Sequence, residues 1–163
     1  MSCVCDWRDT SRLVGVLELD RRQEMAEREL CLELVRALPV PRPFELERFR
    51  VALERRRGRT LRFVTAQRGC GSDGLWIATT GADSILYDQD APPLRQLYII
   101  AREIGHMVFG HQGGPASASE IARLVLPALD PDLVLSTLGR TRYTADEENE
   151  AELFAVMLLD RME

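Results

Sequence analysis

The chain has 163 residues, 45% of them apolar and 29% charged. That suffices for one domain with a real core, and no apolar run approaches the roughly 18 residues that a membrane span needs. The net charge of −5 is uneven: residues 1–81 hold 15 Arg against 12 acids, residues 82–163 hold 6 Arg against 14 acids. The acidic second half argues against direct binding of nucleic acid. The first 15 residues have no long apolar centre, so a secretory leader is not expected and a cytoplasmic location is.

Residues 1–18 read as a loosely held tail, and residues 19–163 as a single domain. Cys3 and Cys5 lie in that tail with no second pair at zinc spacing, so they read as free thiols. A first helix is predicted from about Asp20 to Leu38, with Leu30, Leu34 and Leu38 at helical spacing beside Cys31 and Val35. Pro41 and Pro43 punctuate it. A second helix follows in "FELERFRVALERRRGR", with Leu46, Phe49 and Leu53 inward and Gly58 closing it. Arg55, Arg56 and Arg57 read as its solvated end, favoured by the helix dipole.

The period then changes from helix to strand. "TLRFVTA", "GLWIATT" and "DSILYDQ" read as three short strands, so a small antiparallel sheet is expected. Pro92 and Pro93 suit the start of the next helix, with Asp90 as its cap. This helix carries "YIIAREIGHMVFGH" and ends near Gly110. A Gly-rich loop, two helical pieces flanking Pro127 and Pro131, and a last helix from about Thr144 complete the chain.

At 100° per residue, Arg102, Glu103 and His106 share one face of the third helix. Ile100, Ile104 and Met107 form its core face. The frame Arg102-Glu103-Ile104-Gly105-His106 is HExxH with arginine at the first position. In a zinc helix two histidines four apart reach one ion, and the glutamate after the first activates the bound water. An ExxH alone is common and carries no chemistry by itself. A tetrahedral site also needs a third ligand from elsewhere. On the last helix, Glu147 and Glu150 share a face with Phe154 and Leu158, while Glu148 and Glu152 point elsewhere. A carboxylate on a packing face is costly unless paired or bound to a cation. The small Ala151 would let this helix approach another closely.

"AREIGHMVFGH", followed some forty residues on by "ENEAELFAVMLL", resembles the ImmA/IrrE family of metallopeptidase-like proteins over roughly residues 40–160. The family pattern is a HELGHxxxxH helix followed by an E-A-x-x-F-A helix. The resemblance implies an α+β fold with a thermolysin-like zincin core, and work alongside a helix-turn-helix repressor. It makes His106 the second zinc histidine, Glu150 the glutamate ligand, with Glu147 as the open alternative, and Glu103 the general base. His111 matches a frequent family histidine. It lies about 140° from His106 on the wheel, so it is not an obvious ligand.

Arg102 departs from the pattern. Arginine stays protonated and has no lone pair for zinc. Its guanidinium is placed to stand in for the ion and bridge Glu150 or Glu103. The expectation is a degenerate site that holds zinc weakly or not at all, in a regulatory protein that binds a protein partner such as a helix-turn-helix regulator or antitoxin. The alternative is an active zinc endopeptidase cutting such a regulator, with His111 as substitute ligand. The edge of "GLWIATT" would receive an extended peptide by strand addition under either reading.

Overall fold

The computed structural model describes residues 10–66, 74–78, 81–111 and 143–162, with side chains described from Arg21 onward. Cys3, Cys5, Cys70, the Gly-rich loop and the helical pieces around Pro127 and Pro131 lie outside the described residues.

Helix α1 spans Thr10–Ala37 and so begins about ten residues before the predicted start. "TSRLVGVLEL" contains no proline, and its single glycine does not stop the helix. Its buried seam is Cys31, Val35 and Leu38, while Leu30 is 48% exposed. Of the predicted inward residues only Leu30 lies outside the seam, and Leu34 is half-buried at its edge. Helix α2, Leu46–Arg57, buries Phe49 and Leu53 and ends on Gly58 in the left-handed conformation, with φ 64°. Leu46 is only partly buried against the core.

The three strands are β1 (Thr60–Ala66), β2 (Gly74–Ala78) and β3 (Ala82–Asp88). The sheet is mixed, with order β1-β3-β2. β2 and β3 pair antiparallel, with Trp76 opposite Ile85, and β1 pairs parallel to β3, with Phe63 opposite Ile85. The expected all-antiparallel sheet is therefore corrected. β3 buries four consecutive residues, Asp83 to Leu86, and a strand buried on both faces belongs in the centre of a sheet. β1 and β2 take the two flanks, β1 parallel and β2 antiparallel to β3. On β1, Arg50 of α2 donates to the Leu61 carbonyl at 2.7 Å.

Helix α3 spans Pro93–Phe109, with Pro93 in its first turn and Gly110 closing it at φ 73°. Asp90 does not cap it: Pro92 holds the cap position with no side-chain bond. The aspartate that shapes this turn is Asp88, which accepts the Asp90 backbone N–H at 2.8 Å. The last described helix, α4, spans Ala145–Met162.

Helix α3 packs on α4, β2 and β3, α1 packs on α4, and α2 packs on β1. Ile100, Ala101, Ile104 and Met107 join Phe154, Ala155 and Leu158 in one core with Phe49, Leu53, Leu61 and Ile85. The α3–α4 crossing is close because Gly105 meets Ala151: a Cβ on Gly105 would lie 3.2 Å from the Ala151 Cα and 3.1 Å from Phe154. Among the described residues no helix is long and apolar enough to cross a membrane.

Candidate functional site

Helix α3 brings Arg102, Glu103 and His106 to the junction with α4. Glu103 and His106 are buried, at 1% and 0% exposure. β2 lies against the helix at Glu103, and the Tyr143 ring covers His106. Gly74 permits the approach: a Cβ there would sit 2.4 Å from Ile99 and 3.1 Å from Glu103.

Arg102 is the hub. Its Nη1 donates to Glu103 Oε1 at 2.7 Å, and its Nη2 and Nε donate to Glu148 Oε2 at 2.6 and 3.1 Å. The guanidinium thus ties one carboxylate of its own helix to one of α4, as its fork geometry allows. Burial alone would weaken its charge, but Glu103 and Glu148 overcome that and hold its pKa above the ordinary value.

The acid on α4 that meets Arg102 is Glu148, which the helical wheel had placed elsewhere. Glu147, the open alternative for the ligand, is used locally. Its backbone N–H donates to Thr144 Oγ1 at 3.2 Å, and its carboxylate accepts the Thr144 N–H at 2.8 Å. This is a capping box, with threonine and glutamate three apart satisfying each other's free amides. It is legible as "TADE", residues 144–147.

His111 stands between His106 and Glu150. Its Nδ1 lies 2.9 Å from the His106 Nδ1, and its Nε2 lies 2.9 Å from Glu150 Oε2. One imidazole therefore donates and the other accepts at the Nδ1 pair. The wheel angle of His111 loses meaning once the chain leaves the helix at Gly110. The left-handed turn brings the His111 N–H back to the His106 carbonyl at 3.0 Å, which carries its ring alongside the His106 ring. The two rings meet edge to face at 5.1 Å, and Phe109 stacks on His111.

Tyr143 completes the site. Its ring stacks on His106 with centroids 3.5 Å apart and planes 10° apart. No pattern in α3 points to this tyrosine. The available signal is its place just ahead of the Thr144 capping box, which fixes how the chain enters α4.

Two buried polar atoms have no hydrogen-bond partner among the described residues: Glu103 Oε2 and His106 Nε2. Burial, opposed by Arg102, pushes the Glu103 carboxyl up to about 7. Burial, with Arg102 and His111 alongside, holds His106 down to about 3, so its imidazole is neutral at neutral pH. Burial and the nearby Glu103 and Glu148 raise the Tyr143 phenol.

This donor set does not fit a zinc ion as it stands. The His106 Nε2 has one carboxylate oxygen nearby, Glu148 Oε2 at 3.6 Å, and Arg102 already holds that oxygen. Both His111 nitrogens are engaged, one of them with Glu150. Among the described residues no three His, Cys, Asp or Glu side chains form a group that could hold a metal ion. A scan against protein-family models finds no match, and no curated protein matches the chain significantly.

Proposed function

We propose that the chain is an ImmA/IrrE-like regulatory protein on a zincin-type core, working in the cytoplasm, whose metallopeptidase-like site has become a bonded network and whose activity is to bind a protein partner. The observation that carries this reading is the Arg102 clamp. A guanidinium occupies the sequence position of the first zinc histidine and joins Glu103 to Glu148. In a zinc helix the glutamate works on a metal-bound water, whereas here Arg102, which cannot ligate a metal, holds Glu103 Oε1. The partner class, a helix-turn-helix regulator or antitoxin, rests on the sequence resemblance.

The rival is an active zinc endopeptidase. It draws on the unpartnered His106 Nε2, which is the atom a metal would take. One experiment separates the two. The purified chain is used to capture interacting proteins from its source cells, and the captured protein is incubated with it. The binding reading expects a small helix-turn-helix protein that stays intact. A captured protein cut in a chelator-sensitive way gives the site to the peptidase. Retention of nucleic acid alone contradicts both.

A further inference from the structure

The two outer strands of the sheet are served differently. β2 lies against α3: a Cβ on Gly74 would meet Ile99 and Glu103, and the Trp76 backbone N–H is directed at the Glu103 carboxylate. β1 forms the other edge. Along a strand paired on one side, alternate residues turn both backbone groups toward the neighbour, and the rest turn them outward. The Leu61 carbonyl accepts from Arg50 at 2.7 Å, so Leu61 belongs to the outward set, and Phe63 and Thr65 follow it. The far side of the sheet gives the same phase. Trp76 turns its N–H away from β3, so its opposite, Ile85, turns toward β1, and Phe63, opposite Ile85, turns outward. Arg50 thus finishes this edge at Leu61. Among the described residues no other group bonds the outward N–H and C=O of Phe63 and Thr65. Such an edge is a template for a further strand. Leu61 and Phe63 face the core with Phe49 and Ile85, so Arg62 stands on the opposite face beside Val64. Arg62 and Thr65 are exposed, and Arg62 makes no hydrogen bond or ion pair among the described residues. The two acids beside this edge, Glu47 and Glu54, are both tied to Arg50.

We propose that the β1 edge receives an extended segment of a partner protein as a fourth strand, antiparallel to β1 and bonded at Phe63 and Thr65, with an acidic side chain opposite Arg62 and an apolar one opposite Val64. Backbone bonds supply the affinity and the side chains opposite β1 supply the selection. Antiparallel addition is the more stable per residue, and opposite charges or β-branched pairs across two strands favour one register. A second copy of this chain fits less well. Pairing Phe63 with Thr65 of the copy sets Ala66 opposite Arg62 and leaves the charge unanswered. The strand addition expected at "GLWIATT" is thereby moved to the other edge of the sheet. This locates the partner contact of the binding reading above and rests on it.

The test is an NMR titration of the full chain with the capped hexapeptide acetyl-Thr-Thr-Val-Thr-Glu-Thr-amide. In the proposed register its valine meets Val64, its glutamate meets Arg62, and the threonines on either side of the valine bond to Thr65 and Phe63. The Phe63 and Thr65 amides should shift saturably with a Kd of about 1 mM, the scale that four net backbone hydrogen bonds supply. N-methylation of the threonine between valine and glutamate removes the donor to Phe63 and should weaken binding about 10-fold or more, while N-methylation of the valine, whose N–H points away from β1, should leave it within about 2-fold. Glutamine in place of the peptide glutamate should weaken binding about 3-fold, as for an exposed ion pair. Arg62→Gln should do the same, and the two changes together should cost no more than either alone. Shifts centred on Gly74–Ala78, equal losses from the two N-methylations, equal binding of the glutamine peptide, or no saturable shift would each overturn the proposal. So would self-association of the free chain that protects the Phe63 and Thr65 amides, which would give the edge to a second copy. The readout uses a defined peptide and involves neither capture nor cleavage, so failure here leaves the regulatory reading to its own test.

Discussion

Two buried carboxylates sit about one exposure percentage point from full burial, and they are treated in opposite ways. Asp83 on β3 is 1% exposed and fully served. Its Oδ2 accepts from Arg57 and Arg59 at 3.2 to 3.3 Å, and its Oδ1 accepts from the Trp76 indole at 3.3 Å. Glu103 on α3 is equally buried, yet only one of its oxygens is bonded, and the neighbouring His106 Nε2 is also left without a partner. A buried polar atom without a hydrogen bond costs about 1–3 kcal/mol. Structural clusters are built to avoid that cost, and sites of function tolerate it. The first cluster therefore belongs to the scaffold. The second has the character of a site, whether or not it still performs a reaction.

The comparison breaks most visibly at Asp83. Asp83→Ala leaves two guanidiniums and an indole N–H facing an empty position. Removing one partner of a fully buried pair costs about 3–5 kcal/mol. The two arginines here are 29% and 33% exposed, so water screens them and the expected loss is about 2–3 kcal/mol by urea denaturation. A loss below about 0.5 kcal/mol, the range of an ordinary surface change, would remove Asp83 from the scaffold.

Glu103 answers through pH. Its carboxyl is raised to about 7 from an ordinary 4.5, so between those values the folded chain holds more protons than the unfolded one. Stability from this group is full below about 4.5 and is lost as pH rises to about 7. His106 is lowered from 6.5 to about 3. Its contribution is full above 6.5 and is lost as pH falls toward 3. Between pH 4.5 and 6.5 the two slopes oppose, each up to about 1.4 kcal/mol per pH unit, and the parent should be nearly level there. Glu103→Gln removes one slope, and the variant should lose stability steadily on acidification through that window. Parallel profiles for parent and variant would show that the Glu103 proton is not set by its burial.

The smallest effect is expected at Trp76→Phe. The ring is kept and only the indole donor to Asp83 is lost. Stability should fall by about 1 kcal/mol, with no change in the pH profile assigned to Glu103 and His106. A changed profile would mean that the two clusters are not separate.

Much of the scaffold was legible in the sequence. The third helix and its buried Ile100, Ile104 and Met107, the strand segments and the glycine stops at 58 and 110 follow from periodicity and turn chemistry, and the small Ala151 announced a close helix approach, though not its partner Gly105. Strand pairing was not legible, because alternation along "TLRFVTA" carries no sign of direction. The site was legible on α3 and blurred on α4. A helical wheel treats every residue of a helix alike, but Glu147 lies in the first turn, where free backbone amides compete for its carboxylate. Glu148, one residue on, is the acid that faces Arg102. His111 was hidden for a related reason: it lies past the helix end, where a wheel angle has no meaning. Tyr143 reaches His106 from outside either helix, so no periodic pattern contains it.

The central claim is that Arg102 holds the place of a metal, and zinc content after mild dialysis tests it most directly. The parent should bind little zinc. Arg102→His frees Glu148 Oε2, which lies 3.6 Å from the unpartnered His106 Nε2, close to the spacing of two ligands on one ion with bonds of about 2 Å. The new imidazole supplies the third donor, so Arg102→His should bind about one zinc per chain, and adding Glu148→Gln should abolish it. Equal and low zinc in the parent and Arg102→His, or a full equivalent already in the parent, would contradict the account.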